Sequence, residues 1–156
     1  MGLVKDTTYQ NIFYDYVLKG LKSIINTDLA HADVYVAENM QNTASFQVKL
    51  WGVAVTDIET WTTSHLKTYN VDISVYMLEA NPSEKFYEEF YARSERMYQL
   101  LFNNQTKSIT VGSKELTWID GNVESITYND FVGNEGDTEG LHKISYAFNC
   151  KVEREG

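Results

Sequence analysis

The chain has 156 residues, 43% of them hydrophobic, and its 22 acidic and 13 basic side chains give a formal net charge of −9. This composition excludes a disordered or fibrous chain, and the length predicts one domain over residues 1–156 with a core of its own. Binding nucleic acid through phosphates needs clustered lysine and arginine, so the acidity argues against a nucleic-acid clamp.

Membrane and compartment signals are weak throughout the sequence. No window approaches the roughly 20 apolar residues that span a bilayer, and the opening MGLVKDTTYQ lacks the features of a secretory signal. The single cysteine, Cys150, excludes an internal disulfide and is compatible with a reducing compartment. Because Cys150 falls in an alternating stretch, we interpret it as a small buried hydrophobic residue.

The first predicted element is a helix over residues 7–26, TTYQNIFYDYVLKGLKSIIN. Its apolar side chains recur at i, i+3 and i+4, which predicts one core-facing stripe. Thr7 or Thr8 is the predicted cap. Gly20 costs about 1 kcal/mol in a helix interior relative to alanine, so it indicates close packing against a neighbour. The stripe consists of Tyr9, Ile12, Phe13, Tyr16, Val17, Leu21, Ile24 and Ile25.

Two strands are predicted next. The segment ADVYVAEN predicts a short strand through Val34 and Val36 at a sheet edge, followed by a turn in MQNTAS. Residues 45–56, SFQVKLWGVAVT, predict a longer strand. Its apolar phase changes near Gly52, which indicates either a β-bulge or a strand buried on both faces.

The polar segment 56–67, TDIETWTTSHLK, is predicted to be a loop that links two strands. It carries Asp57, Glu59 and Trp61, which we select as candidate partner contacts. A tryptophan between acids has two open interpretations here. It either anchors an interface or folds back onto its own sheet.

The centre of the chain combines a strand and the best-defined helix. TYNVDISVYML alternates with a period of two, whereas NPSEKFYEEFYARSERMYQLLFNN repeats with helical spacing. We predict that Asn81 caps this helix with Pro82 at its first position. Asn103–Asn104 predicts its end, since asparagine tolerates the left-handed conformation.

The C-terminal part predicts further strands. Gly112–Ser113 suggests a hairpin turn, Asp120–Gly121 is a stronger turn signal, and LHKISYAFNCKVERE predicts a final alternating strand. The acidic segment 130–140 is predicted to be either a mobile tip or an extension that orders on a partner. Its candidate contact residues are Asn134, Glu135, Asp137 and Glu139.

Together these elements predict an α+β fold. A mixed or mostly antiparallel sheet packs against two main helices and ends in a long C-terminal hairpin. No nucleophile elbow, phosphate-binding glycine loop or calcium loop is present, and the histidines His31, His65 and His142 lack metal-ligand spacing. His142 is predicted to be a surface or partly buried structural histidine. We therefore predict no catalytic, cofactor or metal site and no enzymatic activity.

The layout resembles the tail terminator, or tail completion, proteins of long-tailed bacteriophages, also seen as minor tail or head–tail joining proteins. The resemblance rests on an opening helix, a strand pair, the central helix and a closing hairpin, and has no diagnostic motif. The opening helix is YQNIFYDYVLKGLKSIIN, and the strand pair is FQVKLWGVAV with YNVDISVYML. The central helix is FYEEFYARSERMYQLLFNN, and the closing hairpin is SITYNDF with GLHKISYAFNCKVERE.

The resemblance implies an architectural role in the virion, after assembly in the host cytoplasm. Proteins of this family form a hexameric ring on the last ring of tail tube protein, end tube polymerisation, and dock to the head–tail connector of the neck. DNA would pass through the lumen without specific binding, aided by a negative wall, and no membrane is involved. Weakened joining is expected from Trp61→Ala or from deletion of residues 133–139.

Three alternatives stay open. The chain could be a tail tube subunit, which would polymerise alone, or another neck or head-completion protein. It could instead be a small ligand-binding or enzymatic α/β domain, with some of its 11 tyrosines lining a pocket.

Overall fold

The computed structural model describes residues 10–29, 33–36, 46–79, 82–130 and 141–155. A π-helical segment runs directly into helix α1, and the second helix, α2, follows the third strand. In chain order the elements are the π-helical segment (Ile12–Leu18), α1 (Lys19–Asp28), β1 (Asp33–Val36), β2 (Phe46–Thr60), β3 (Ser64–Leu78), α2 (Glu84–Phe102), β4 (Ser108–Val111), β5 (Lys114–Asp130) and β6 (Leu141–Glu155).

The strands form one mixed sheet in the order β1-β2-β3-β6-β5-β4. Only β1 and β2 run parallel, and every other neighbouring pair is antiparallel. The α+β prediction is therefore confirmed, including the long C-terminal pair β5 and β6. The short edge strand through Val34 and Val36 and the turn at Gly112–Ser113 are confirmed as well.

One face of the sheet carries the core, and both helices pack on it. Alternate residues of β6 are buried, as the period of two predicted, and the same face of β3 carries Val71 and Ile73. Tyr16 and Leu21 reach this face from the first helical stretch, and Phe90 reaches it from α2. The buried β6 side chains on this face are His142, Ile144, Tyr146, Phe148, Cys150 and Val152, and Leu141 is buried at the start of the strand.

The first helical stretch begins later than predicted. Asn11 precedes it, and the Asn11 side-chain oxygen accepts a hydrogen bond from the N–H of Tyr14 at 3.4 Å. The predicted caps Thr7 and Thr8 therefore do not start it, and they lie outside the described residues. The close packing predicted at Gly20 is confirmed, because a Cβ there would lie 2.7 Å from Ile109 Cδ1.

Strand β2 is irregular at Gly52, where the sequence predicted either a β-bulge or a strand buried on both faces. The pairing of β2 with β3 shifts register between Gly52 and Ala54, which identifies a β-bulge. The Phe13 ring lies over Gly52, since a Cβ there would meet Phe13 Cζ at 2.7 Å. Glycine therefore lets the opening helix approach the sheet.

The prediction of a loop over residues 56–67 is wrong. Strand β2 continues to Thr60 and β3 begins at Ser64, so only residues 61–63 form the turn. Residues 56–63 are exposed. A strand that buries neither face shows no apolar alternation, and its polar composition resembles a loop.

The turn predicted at Asp120–Gly121 is also wrong, because both residues lie inside β5. The pairing of β5 with β6 shifts register between Ile119 and Asn122, and Asp120 has φ 51°. The dipeptide thus forms a bulge. The Gly121 N–H donates to the Gln105 carbonyl oxygen at 2.9 Å.

Helix α2 begins one residue after Ser83, whose hydroxyl accepts from the Phe86 N–H at 3.3 Å. The predicted cap is therefore wrong: Pro82 precedes the true cap, and Asn81 lies outside the described residues. The predicted end is confirmed at Asn103, but with a right-handed φ of −73°. In the part of the chain described, no helix is long and apolar enough to cross a membrane.

Candidate functional site

The β2–β3 hairpin forms an arm at one end of the sheet, defined here as residues 55–69. The Trp61 N–H donates to the Ser64 carbonyl oxygen at 2.8 Å and closes the turn. A second register shift in β2, between Thr56 and Glu59, bends the strand near the tip. Asp57 lies in this bulge with φ 49°, a conformation that aspartate tolerates better than most side chains.

The structure brings three of the predicted contact residues together at the arm. Asp57 and Glu59 are exposed, and Trp61 is 49% exposed at the turn. Ile58, which sequence analysis did not select, is 59% exposed between the two acids. The arm tip therefore offers two carboxylates and two large apolar side chains to solvent.

The other four predicted contact residues, Asn134, Glu135, Asp137 and Glu139, lie outside the described residues. The strand ends that flank them are described, since β5 ends at Asp130 and β6 begins at Leu141. His142 pairs with Met77, whereas the tip residue Glu59 pairs with Leu66. At about 3.4 Å per residue along β3, these two ends of the sheet are separated by roughly 35–40 Å.

Both sides of the sheet have a long edge without a strand neighbour among the described residues. Strand β1 pairs only with Gln47–Leu50, so β2 from Trp51 to Thr60 is bonded on one side only. Strand β4 pairs with Lys114–Thr117, so β5 from Asn122 to Asp130 is bonded only to β6. Such edges can pair with another chain.

Most exposed large apolar side chains flank these two edges. Trp51, Val53, Ile58 and Trp61 follow β2, and Trp51 and Val53 also line an open groove of about 730 Å³. On the other side, Tyr91, Tyr98 and Phe102 of α2 lie on the side of Ile119 and Tyr128 of β5, with Tyr91 in ring contact with Tyr128. Clusters of this kind mark protein contact surfaces.

A cationic cleft lies at the base of the arm, on the helix-bearing face. His65, Lys67 and Tyr69 line it from β3, and Arg154 lines it from β6 directly opposite His65. The first helical turn closes the other side, where the Gln10 side-chain oxygen accepts a hydrogen bond from Arg154 Nε. The cleft encloses about 330 Å³.

The electrostatics of the cleft follow from burial and from its cations. Burial lowers the pKa of His65, and the positive charges of Lys67 and Arg154 lower it further. The Nδ1 atom of His65 is buried and has no hydrogen-bond partner. Burial, with the nearby Cys150 sulfur, raises the pKa of Tyr69 to about 12.

Sequence analysis missed this cleft. His65 and Lys67 are two residues apart, so on a strand they lie on the same face. This spacing carried no meaning while the segment was interpreted as a loop. Arg154 joins them only through the β3–β6 register.

The remaining titratable groups have structural surroundings. His142 is fully buried against Phe86 and Phe90, with Nε2 3.2 Å from the Glu79 carbonyl oxygen, so the prediction of a surface or partly buried histidine is wrong. Cys150 is buried as predicted, and burial raises the pKa of its thiol. Among the residues that the structure describes, no three His, Cys, Asp or Glu side chains could hold a metal ion together.

No protein-family model matches the chain, and no curated protein matches it. Among solved structures, the chain is similar to one chain of the virion of a native gene transfer agent particle. The two share 14% sequence identity with a TM-score of 0.60, and the match covers 89% of this chain and 99% of that one. The likeness is one of fold, and it extends over almost the whole of both chains.

Proposed function

We propose that the chain is a structural protein of a phage-type virion, and that it closes the end of the tail tube as a ring. The observation that carries this proposal is the fold shared with a chain of a gene transfer agent virion, over 99% of that chain. The resemblance to tail terminator proteins supports the more specific role, in which the ring ends tube growth and joins the tail to the head connector.

The strand order supports a ring. The four long strands, β2, β3, β6 and β5, alternate in direction, so the two outermost run opposite to each other. The β2 edge of one copy would therefore meet the β5 edge of the next copy as an antiparallel pair. A head-to-tail contact of this kind gives a ring when the rotation between neighbouring copies closes, and it pairs the two long edges with each other.

The dimensions of such a ring suit a conduit. Six copies would align about two dozen long strands, and at roughly 4.8 Å per strand with the usual tilt of about 35–45° the barrel would be about 45–50 Å across. The helices would cover the outside. DNA would pass along the opposite, helix-free face without specific binding.

The helix-free face mixes uncharged polar side chains with a few charged ones. Lys49 is buried and pairs with Asp72 at 3.3 Å, and Lys143 and Lys151 of β6 lie on the same face. A wall with so few cations would hold phosphates weakly. The uncharged side chains of this face include Asn70 of β3, Ser125 and Thr127 of β5, and Ser145 and Asn149 of β6.

The two ends of the sheet are far enough apart to bind two different partners. The arm with Asp57, Glu59 and Trp61 lies at one end, and the segment carrying Asn134, Glu135, Asp137 and Glu139 joins strands at the other. We propose that one end binds the tail tube protein and the other binds the connector.

The test is the solution mass of the purified protein by light scattering, over concentration and salt, with negative-stain images of the same sample. Closed rings of fixed subunit number, or capping of preformed tubes by a monomer, are the expected results. Open tubes formed by the chain alone would identify a tube subunit instead. A chain that neither forms rings nor caps tubes would overturn the proposal, and a ligand screen by thermal shift would follow.

A further inference from the structure

The open groove of about 730 Å³ crosses the helix-free face of the sheet. Trp51, Asp72 and Ala147 lie side by side on β2, β3 and β6, because Trp51 pairs with Asp72 and Asp72 pairs with Ala147. Glu124 continues this row on β5, within the second register shift of that strand. The groove therefore runs across the strands, from a β2 side to a β5 side.

The two sides of the groove differ in chemistry. On the β2 side, Trp51 and Val53 are both exposed and form an apolar wall. On the β5 side, Glu124 is exposed and forms no hydrogen bond or ion pair with another residue that the structure describes. The small side chains of Ala54 and Ala147 lie between them. The groove thus offers an apolar wall and a free carboxylate on either side of a low floor.

The polar groups in the floor are already satisfied. The Asp72 carboxylate accepts a hydrogen bond from Ser74 Oγ at 2.9 Å and pairs with Lys49 at 3.3 Å. The Asn70 side-chain amide donates to Thr56 Oγ1 at 3.0 Å. Strands β3 and β6 have a strand neighbour on both sides, so a ligand cannot join the sheet here and must be held by side chains.

The width of the groove sets the length of its occupant. Strands β2 and β5 are three strand spacings apart, about 14 Å at roughly 4.8 Å per strand. An extended peptide rises about 3.3 Å per residue, so about four residues cross the groove. Among the described residues that line it, Asp72 and Glu124 are charged and none is basic. The complementary ligand therefore carries a cation, and a phosphate is disfavoured.

We propose that the groove binds an extended segment of a partner protein, with an apolar side chain against Trp51 and Val53 and a lysine or arginine at Glu124. Contact with the tryptophan supplies buried apolar area, and the charge pair fixes the direction of the segment. All lining residues belong to one copy, so this site goes beyond the proposed ring and does not need it. In the ring, the site would lie on the wall of the conduit.

Peptide selection tests the proposal. The probe is a bead-bound library of random seven-residue peptides whose termini are blocked, from which the full-length wild-type chain selects. Selected peptides are resynthesised with a dye, and Kd is measured by fluorescence anisotropy at low and high salt. Glu124→Lys and Trp51→Ala alter the two sides of the groove. Glu88→Lys on α2 and Tyr14→Ala on the opening helix repeat these changes at exposed positions of the helix-bearing face.

The selected peptides are expected to carry an apolar residue and a lysine or arginine about three or four positions apart. Glu124→Lys and Trp51→Ala should each raise Kd by about tenfold or more, and the two controls should change it by less than about twofold. Binding should weaken as salt screens the charge pair. Thermal unfolding midpoints close to wild type show that the variants fold.

Three results would overturn the site: selected peptides without this spaced pair, a Kd that is equal in wild type and both groove variants, or equal effects from the controls. Thermal stabilisation by spermidine with no peptide selected would overturn the peptide occupant in favour of a small amine. Rings or capped tubes formed by a chain that selects no peptide would refute the site and leave the proposed function standing. Peptide binding by a chain that forms neither would refute the function and leave the site.

Discussion

The Trp118 indole N–H donates a hydrogen bond to the main-chain carbonyl oxygen of Tyr16 at 2.8 Å, and both residues are buried. The Tyr16 hydroxyl donates in turn to the Lys114 carbonyl oxygen at 3.0 Å. Two reciprocal bonds therefore join the opening helix to β5. The Trp118 side chain binds a carbonyl group of the helix backbone at Tyr16. Such a bond competes with the helix's own hydrogen bonds, which accounts for the wider, π-helical turn around Tyr16.

Replacing Trp118 by phenylalanine removes the indole donor and leaves a buried carbonyl oxygen with one partner fewer. We expect a loss of about 1–3 kcal/mol in the free energy of unfolding, measured by urea denaturation. The matched control is Trp51→Phe at a 39% exposed position, where a change within about 0.5 kcal/mol is expected. Equal effects of the two substitutions would contradict the role of the bond.

Gly20→Ala should destabilise the protein although alanine favours helices. The added methyl group would lie 2.7 Å from Ile109 Cδ1 and 2.9 Å from Trp118 Cζ2. Overpacking of this kind costs about 1–3 kcal/mol, which exceeds the gain of about 1 kcal/mol in helix propensity. Urea denaturation of Gly20→Ala and of the exposed control Ser23→Ala would show a loss in the first only, and a stabilised Gly20→Ala would refute the close contact.

Tyr69 should make stability depend on alkaline pH. Burial raises the pKa of its phenol to about 12, so the folded protein retains a proton that the unfolded chain releases near pH 10. This stabilisation is complete below pH 10 and is lost as the pH rises towards 12. Unfolding measured between pH 9 and 11.5 should show a shallower decline for Tyr69→Phe than for wild type, and parallel curves would contradict it.

His65 should titrate with a pKa below the ordinary histidine value of 6.5, because it is partly buried and lies near the positive charges of Lys67 and Arg154. Lys67→Gln removes one of these charges, so we expect the pKa of His65 to rise towards 6.5. Imidazole NMR signals followed against pH give both values, with His65→Gln assigning the resonance. The Lys85→Gln variant should leave the pKa of His65 unchanged, and a shift there would point to a general charge effect.

Trp61→Ala should impair assembly without unfolding the protein. Trp61 is 49% exposed at the arm turn, so truncation removes little core packing, and we expect a thermal midpoint within about 2 °C of wild type. Ring formation or tube capping should weaken. Tyr14→Ala, a 42% exposed aromatic residue on the opening helix, serves as the control. Full assembly activity of Trp61→Ala would remove this residue from the contact surface.

Burial periodicity made much of the fold predictable. The β6 residues Ile144, Tyr146 and Phe148 alternate with half-buried or exposed neighbours, and this regular contrast is visible in the sequence. The π-helical geometry of Ile12–Leu18 had no such signal, because it depends on a hydrogen bond from Trp118, which lies far along the chain.

The prediction of a turn at Asp120–Gly121 was wrong because a β-bulge and a hairpin turn can use the same backbone conformation. Asp120 has a positive φ inside β5, and the same conformation would suit a hairpin turn. The sequence of Asp120–Gly121 cannot distinguish a bulge from a turn. The choice depends on whether β6 continues alongside, which it does beyond the shift at Ile119.

The candidate site was predictable only in part. Asp57, Glu59 and Trp61 were selected because polar, exposed segments often carry contacts, and the arm does expose them. The cationic cleft could not be predicted, because it depends on the pairing of His65 with Arg154 across two strands.

Burial of the one thiol gives the protein a built-in reporter of its own opening. Cys150 is fully buried in the core and its raised pKa keeps it in the unreactive thiol form, so a thiol reagent can modify it only when the elements packed on this face of the sheet move away. The rate of modification would therefore measure how often the core opens, before and after assembly. The same property leaves the folded surface of the described residues free of competing thiols, so a fluorophore placed on an introduced cysteine would report its own position alone.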